Sequence, residues 1–230
     1  MSFSSEWVIA LGSIVFINLI LSGDNAVLIA LAGKNLAEEQ RRKAILVGSI
    51  GAVVLRIILT FIAAYLLDIP YLQFFGGMAL IWIAINLWGK GDKEATSRGT
   101  YDFIQAIKTI LVADLIMSLD NVLALAAISQ TVPSGKYSLI IIGLVTSIPL
   151  VVFGAQALMK LMDRYPIIIG IGVGVLGYAA AEMIIGDKAI GPMIASYKLL
   201  FEIGLTFSVI LIAYWKKTNN KKIIKMRDMP

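Results

Sequence analysis

Neither cysteine nor histidine occurs anywhere in this chain of 230 residues. Without thiols there can be no disulfide, thiolate metal site or redox pair. Without imidazole, a metal site must be built from oxygen ligands, and a proton carrier inside an apolar segment must be Asp or Glu. Charge is also scarce, at 15% of residues, against about 25% in soluble domains. The alternating strands of about ten residues that a membrane barrel needs are missing. Nothing matches a phosphate-binding loop or a nucleophile elbow, which argues against ATP-driven transport by this chain and against an enzyme. The stretch before Trp7 lacks the basic residues of a cleavable signal, so the first apolar run is expected to persist in the mature protein.

What is abundant is apolar sequence, 59% of the chain, arranged in runs of about twenty residues, the length that crosses about 30 Å of hydrocarbon as a helix. The pattern predicts an all-α membrane protein with seven transmembrane helices, at residues 7–32, 44–67, 71–88, 104–129, 137–159, 167–185 and 199–215. The net charge of +5 lies between these runs and in the tail, so it reads as a topology signal and not as a nucleic-acid surface. With the N-terminus outside, sixteen Lys and Arg fall on the inner side, among them Lys34, Arg41, Arg42, Lys43, Lys160 and Arg164, and only Lys136, Lys188 and Lys198 fall outside. That bias predicts a multi-pass protein of the bacterial cytoplasmic membrane, N-terminus out and C-terminus in. The basic tail is expected to anchor this topology at the lipid bilayer.

The chain also repeats itself. Asn18 to Asn25 (NLILSGDN) aligns with Asp114 to Asn121 (DLIMSLDN) at an offset of 96 residues, which also places Pro70 on Pro166, Gly76 on Gly172 and Asn86 on Glu182. Three crossings per copy is an odd number, so the second copy must insert upside down. The expected organisation is therefore an inverted 3+3 repeat, residues 1–95 and 96–190, followed by a seventh helix and basic tail in 191–230.

Asp within hydrocarbon is unfavourable by about 2.5–3.5 kcal/mol and generally faces the bundle interior. Two at equivalent positions, Asp24 and Asp120, point to function. Asn18, Ser22 and Asn25 are spaced by four and three, as are Asp114, Ser118 and Asn121, giving one polar stripe per helix. Gly23 beside Ser22 predicts local unwinding that would free backbone carbonyls. Carboxylates, amide oxygens and hydroxyls together form a set suited to Mg2+, Ca2+ or Mn2+. Glu182 and Asn86 are candidates to extend the site, Asp114 a second ion station or an access-path residue, and Arg56 a counter-ion to one of the carboxylates. Asp68, Asp92, Asp163 and Asp187 fall at span ends, where solvated caps are expected.

At Asn18-x-x-x-Ser22-x-Asp24-Asn25 and Asp114-x-x-x-Ser118-x-Asp120-Asn121 the sequence resembles the TerC family of bacterial integral membrane proteins. The likeness extends over nearly the whole chain. The family is associated with manganese efflux and with resistance to metal stress and tellurite, and is a distant relative of the lysine-exporter superfamily. By resemblance, Asp24, Asn25, Asp120 and Asn121 are the ion-handling positions, with Glu182 as an addition. Asn18, Ser22, Asp114, Ser118, Asn86 and Arg56 would support them. The cargo implied is Mn2+; no bound cofactor is expected, self-association is allowed, and export against an inside-negative potential calls for exchange with protons or another cation. An amino-acid exporter and a membrane scaffold that delivers metal to secreted enzymes are the alternatives.

Overall fold

The computed structural model describes residues 5–20, 22–66, 69–89, 99–129, 132 and 135–227. Asp68 and Asp92 lie outside the described residues, as does the side chain of Asp120. Among the described residues there is no strand. The helices are α1 (Ser5–Ile20), α2 (Gly23–Gly33), α3 (Glu38–Leu66), α4 (Leu72–Gly89), α5 (Gly99–Ser129), α6 (Lys136–Arg164), α7 (Ile167–Gly186), the short α8 (Gly191–Ile194) and, after a 3-10 turn, α9 (Lys198–Arg227).

Each expected span coincides with a helix, but the first is in two pieces. Among the described residues, four stretches are long and apolar enough to cross a membrane, Glu38–Ile62, Lys136–Arg164, Ile167–Gly186 and Gly191–Asn220, while Trp7–Phe16, Gly23–Gly33 and Leu72–Trp88 are shorter apolar helices. Turn residues mark the boundaries. Gly135 precedes α6 at φ 75°, a conformation that costs glycine little, and Pro166 leads into α7 with helical φ already set. Pro149 sits inside α6 without ending it; Ser147 Oγ donates to the Leu144 carbonyl at 2.6 Å in the same turn.

Packing is dominated by α3 along α5, α4 along α7, and α9 along α7 and α4, with α6 covering α1, α2 and α3. Small residues set the closest approach. A Cβ on Gly48 would lie 2.9 Å from Ile110, and one on Gly51 2.7 Å from Leu111, so α3 and α5 meet where neither glycine can be enlarged without displacement. Outward faces carry Trp82, Phe153, Ile171, Phe207 and Leu211, all exposed, an apolar surface suited to lipid.

Among the described residues the interior holds a small apolar cluster of Leu36, Ala44 and Ala106 and two larger ones. One gathers Leu28, Leu31, Ile45, Leu80, Ile110 and Leu176. The other gathers Ile14, Val53, Leu125, Leu139 and Leu144. Along α3, α5 and α6, and across the break between α1 and α2, membership changes from one cluster to the other. The buried polar residues Asn18, Ser22, Asn25, Ser49, Arg56, Asp114, Ser118, Asn121 and Ser147 lie at or near that change. The site is thus a polar layer held between two apolar blocks.

Candidate functional site

The polar layer is organised around Arg56 of α3, which is 3% exposed. Its guanidinium donates three hydrogen bonds: from Nε to Ser118 Oγ at 3.1 Å, from Nη1 to Asn18 Oδ1 at 2.9 Å, and from Nη2 to Asp114 Oδ1 at 2.8 Å. The last is also an ion pair between two buried side chains. Ser118 Oγ in turn donates to Asp114 Oδ2 at 3.1 Å, and Ser22 Oγ to Asn18 Oδ1 at 3.4 Å. One cation therefore joins the Asn18 stripe of α1 to the Asp114 stripe of α5. A buried charge of this kind is tolerable only when paired and hydrogen-bonded, and the fork of an arginine reaches three acceptors on two helices at once.

The two motifs differ in backbone. At the first, α1 ends at Ile20, Ser22 stands in a turn at φ −100° and ψ 2°, and α2 opens at Gly23. Asp24 is thereby the acidic residue of a helix first turn, where the positive end of the helix dipole favours a carboxylate. Its Oδ1 accepts the Asn25 backbone N–H at 2.7 Å. Asp24 is half-buried and within electrostatic reach of Arg56 and Asp114. At the second motif, α5 runs through without interruption, and Asn121 is buried on it.

Two cavities adjoin the layer. The smaller, about 20 Å³, is lined by Asn25, Ser49, Arg56, Asp114 and Ser147 together with apolar side chains of α2, α3 and α6. That volume admits one water-sized particle. Ser49 Oγ is buried and has no hydrogen-bond partner among the described residues. The larger, about 370 Å³, lies between the start of α2 and α6, bounded by Ser22, Gly23, Ala26, Ser147, Gly154 and Leu158. Ser147 and Val151 line both.

Not every residue singled out in the sequence comes to this place. Glu182 is exposed on α7, where Tyr178 Oη donates to its Oε1 at 3.3 Å. Asn86 of α4 accepts from Lys216 Nζ at 2.6 Å and donates to the Trp82 carbonyl, tying α4 to α9. Neither touches Arg56. Asp187, expected to be a solvated cap, is instead 2% exposed: it accepts backbone N–H groups from Phe74, Ala189 and Ile190, fastening the starts of α4 and α8 to the end of α7. Asp163 pairs with Arg41 at 2.9 Å on the surface.

Sequence reasoning singled out neither Ser49 nor Ser147 as a site residue. A signal for Ser49 existed: it precedes Arg56 by seven residues, two turns, and so shares its face of α3. Glu202 of α9 was also missed. It is buried, with Lys198 one turn away at 3.6 Å.

The family model for the "Integral membrane protein TerC family" matches residues 3–222. Among curated proteins, the chain is 38% identical over 216 residues to the uncharacterized membrane protein YjbE of Bacillus subtilis, covering 92% of this chain and 97% of the relative. It is 28% identical over 183 residues to the uncharacterized membrane protein YceF of the same organism, covering 75% and 69%. It is 26% identical over 176 residues to the UPF0053 inner membrane protein YgdQ of Escherichia coli, covering 69% and 72%. No solved structure gives a significant match.

Proposed function

This chain belongs to the TerC family of integral membrane proteins, membrane proteins of transporter type, and from that premise we propose that it exports a divalent metal cation, Mn2+, by secondary transport across the bacterial cytoplasmic membrane. The observation that carries the reading is the polar layer itself. Oxygens from both repeated motifs converge on one buried cation, the guanidinium of Arg56. A place that holds a positive charge with carboxylate, amide and hydroxyl oxygens is chemically suited to a hard divalent ion.

Packing supports an inverted repeat of seven spans. Exchanging α1 and α2 for α5, α3 for α6 and α4 for α7 converts the α3–α5 contact into the α6–α1/α2 contact and leaves the α4–α7 and α3–α6 contacts as they are. In this reading the interrupted first span supplies the discontinuous helix that transporters place at the bilayer midplane. The larger cavity, ending at Ser22 and Gly23, is the approach to it. Asp24 and Asn25 would hold the ion from the α2 side, Asp120 and Asn121 from α5.

Outward movement of a divalent ion against about 100 mV, inside negative, costs about 4.6 kcal/mol. A passive path would therefore carry the ion inward. Exchange for protons or another cation meets that cost, with carboxylates as the shared carriers. In the empty site the charge of Arg56 is already compensated by Asp114 and by both motif stripes, so it needs no amino-acid carboxylate, which favours the metal over the amino-acid exporter.

Proteoliposomes containing only this protein should accumulate or release Mn2+ according to an imposed proton gradient. Asp24→Asn and Asp120→Asn should each reduce that flux about a hundredfold, the loss expected when a charge-assisted ligand contact worth about 1.5–3 kcal/mol goes and the bound ion is left undercompensated. Wild-type vesicles that move lysine and not Mn2+ would establish the amino-acid exporter. Vesicles that move neither would favour the scaffold.

A further inference from the structure

Arg56 belongs to neither motif, yet each of its hydrogen bonds to another helix ends on a motif stripe. Asn18 and Asp114, two of its acceptors, are equivalent positions in the repeat. The guanidinium thus bridges the pair between which an ion shared by the two copies would sit. Ten residues from the described end of α3, it has no short route to an aqueous surface.

We propose that Arg56 is a tethered stand-in for the transported cation: it neutralises the motif oxygens while the site is empty, the arriving divalent ion displaces it, and its release undoes the polar ties of α3 to α1 and α5. This rests on the cation-export reading and adds to it the residue that couples loading to movement. The neighbouring cavity of about 20 Å³ gives the ion its first position. It offers the carboxylate of Asp114, the amide of Asn25, and Ser49 Oγ, which is buried and has no hydrogen-bond partner among the described residues. A divalent ion there and a guanidinium on Asp114 repel each other across a few ångströms with little water between. Both need the same carboxylate, so one leaves.

The consequence is an internal competition. An ion that binds only when Arg56 is withdrawn has its apparent affinity reduced by the fraction of time that Arg56 is withdrawn. Removing the competitor must tighten binding, although it also removes the device that restores the empty state. Arginine suits the task because its planar fork satisfies acceptors on two helices together, and an ammonium group, a compact point charge, holds them less firmly.

The test measures Mn2+ binding to the full chain in lipid nanodiscs, from the loss of the free-ion electron paramagnetic resonance signal, alongside Mn2+ flux in proteoliposomes. Arg56→Gln should bind Mn2+ about tenfold more tightly or better, yet export it at about a tenth of the wild-type rate or less. Arg56→Lys should tighten binding by a smaller factor and keep part of the flux. Nonspecific structural damage would weaken binding and flux together, so the opposite signs distinguish the two. Wild-type protein that binds Mn2+ while Arg56→Gln binds equally or less well would overturn the proposal and leave the export reading standing. If Arg56→Gln does not accumulate, Arg56→Lys decides the matter by the same criterion. Failure of wild type and both variants to bind millimolar Mn2+ would overturn the export reading, and the stand-in role with it.

Discussion

Asp187 and Arg56 are both buried charges, satisfied in different currencies. Arg56 is held by side chains of other helices, whereas Asp187 is held by backbone N–H groups of Phe74, Ala189 and Ile190 in the turn after α7. Burial by itself would raise the Asp187 pKa, but these backbone donors outweigh it and hold the carboxyl below its ordinary value. A carboxylate whose pKa is lowered by folding contributes stability in full above its unfolded pKa, and that contribution is lost as pH falls through the lower folded value. Asp187→Ala should accordingly lower the thermal midpoint at neutral pH, by the equivalent of about 1–3 kcal/mol for buried donors left without an acceptor. The gap between variant and wild type should narrow below pH of about 3.9. A gap that stays constant down to pH 2 would mean that the charge of Asp187 is not what holds the turn. Its span-end position made Asp187 look like a solvated cap, because sequence shows where a turn falls and not which distant amide, here that of Phe74, folds over it.

At the level of the helix, the two motifs are nearly the same string with different backbones. Gly23 stands in the first where Leu119 stands in the second. Glycine costs a helix interior about 1 kcal/mol relative to alanine, and leucine costs far less. The unwinding expected beside Gly23 is accordingly seen as a boundary between α1 and α2, while α5 continues. This much was legible because it depends on local backbone preference. The positions of Glu182 and Asn86 were not, since a constant offset establishes that two residues are equivalent, not that they meet. Close packing of α3 on α5 gives a direct check on how the layer is held. Gly48→Val would press into the β-branched Ile110, at an overpacking cost of about 1–3 kcal/mol, and would separate Arg56 from Asp114 two turns further along. Lower thermal stability and impaired Mn2+ flux are expected together. Gly12→Ala, in α1 with nothing within 4 Å of the added Cβ, should leave both unchanged. Equal behaviour of the two variants would show that the α3–α5 approach does not hold the site.

Across the whole molecule, the charge bias seen in the sequence acquires a spatial counterpart. Arg41 at the start of α3 pairs with Asp163 at the end of α6. From there Arg164 and Tyr165 lead into α7, whose Gly170 abuts Trp88 of α4, and Trp88 receives Lys217 of α9 over its ring at 5.6 Å. These contacts gather one end of the bundle. At the other, Gly135 at the start of α6 lies beside Trp7 of α1, and Asp187 joins the end of α7 to the start of α4. Lys34, Arg41, Arg42, Lys43, Lys160, Arg164, Lys216 and Lys217 lie near the first group of contacts, and Lys136 and Lys188 near the second. We propose that the first end faces the cytoplasm, because basic loops are retained on the inner side during insertion. The absence of native cysteine makes this directly testable, because any introduced thiol is the only one in the chain. A membrane-impermeant maleimide added to intact cells should label Lys188→Cys and spare Arg164→Cys and Lys217→Cys, and all three should react once the membrane is permeabilised. Labelling of Arg164→Cys in intact cells would overturn this orientation and place the basic loops outside.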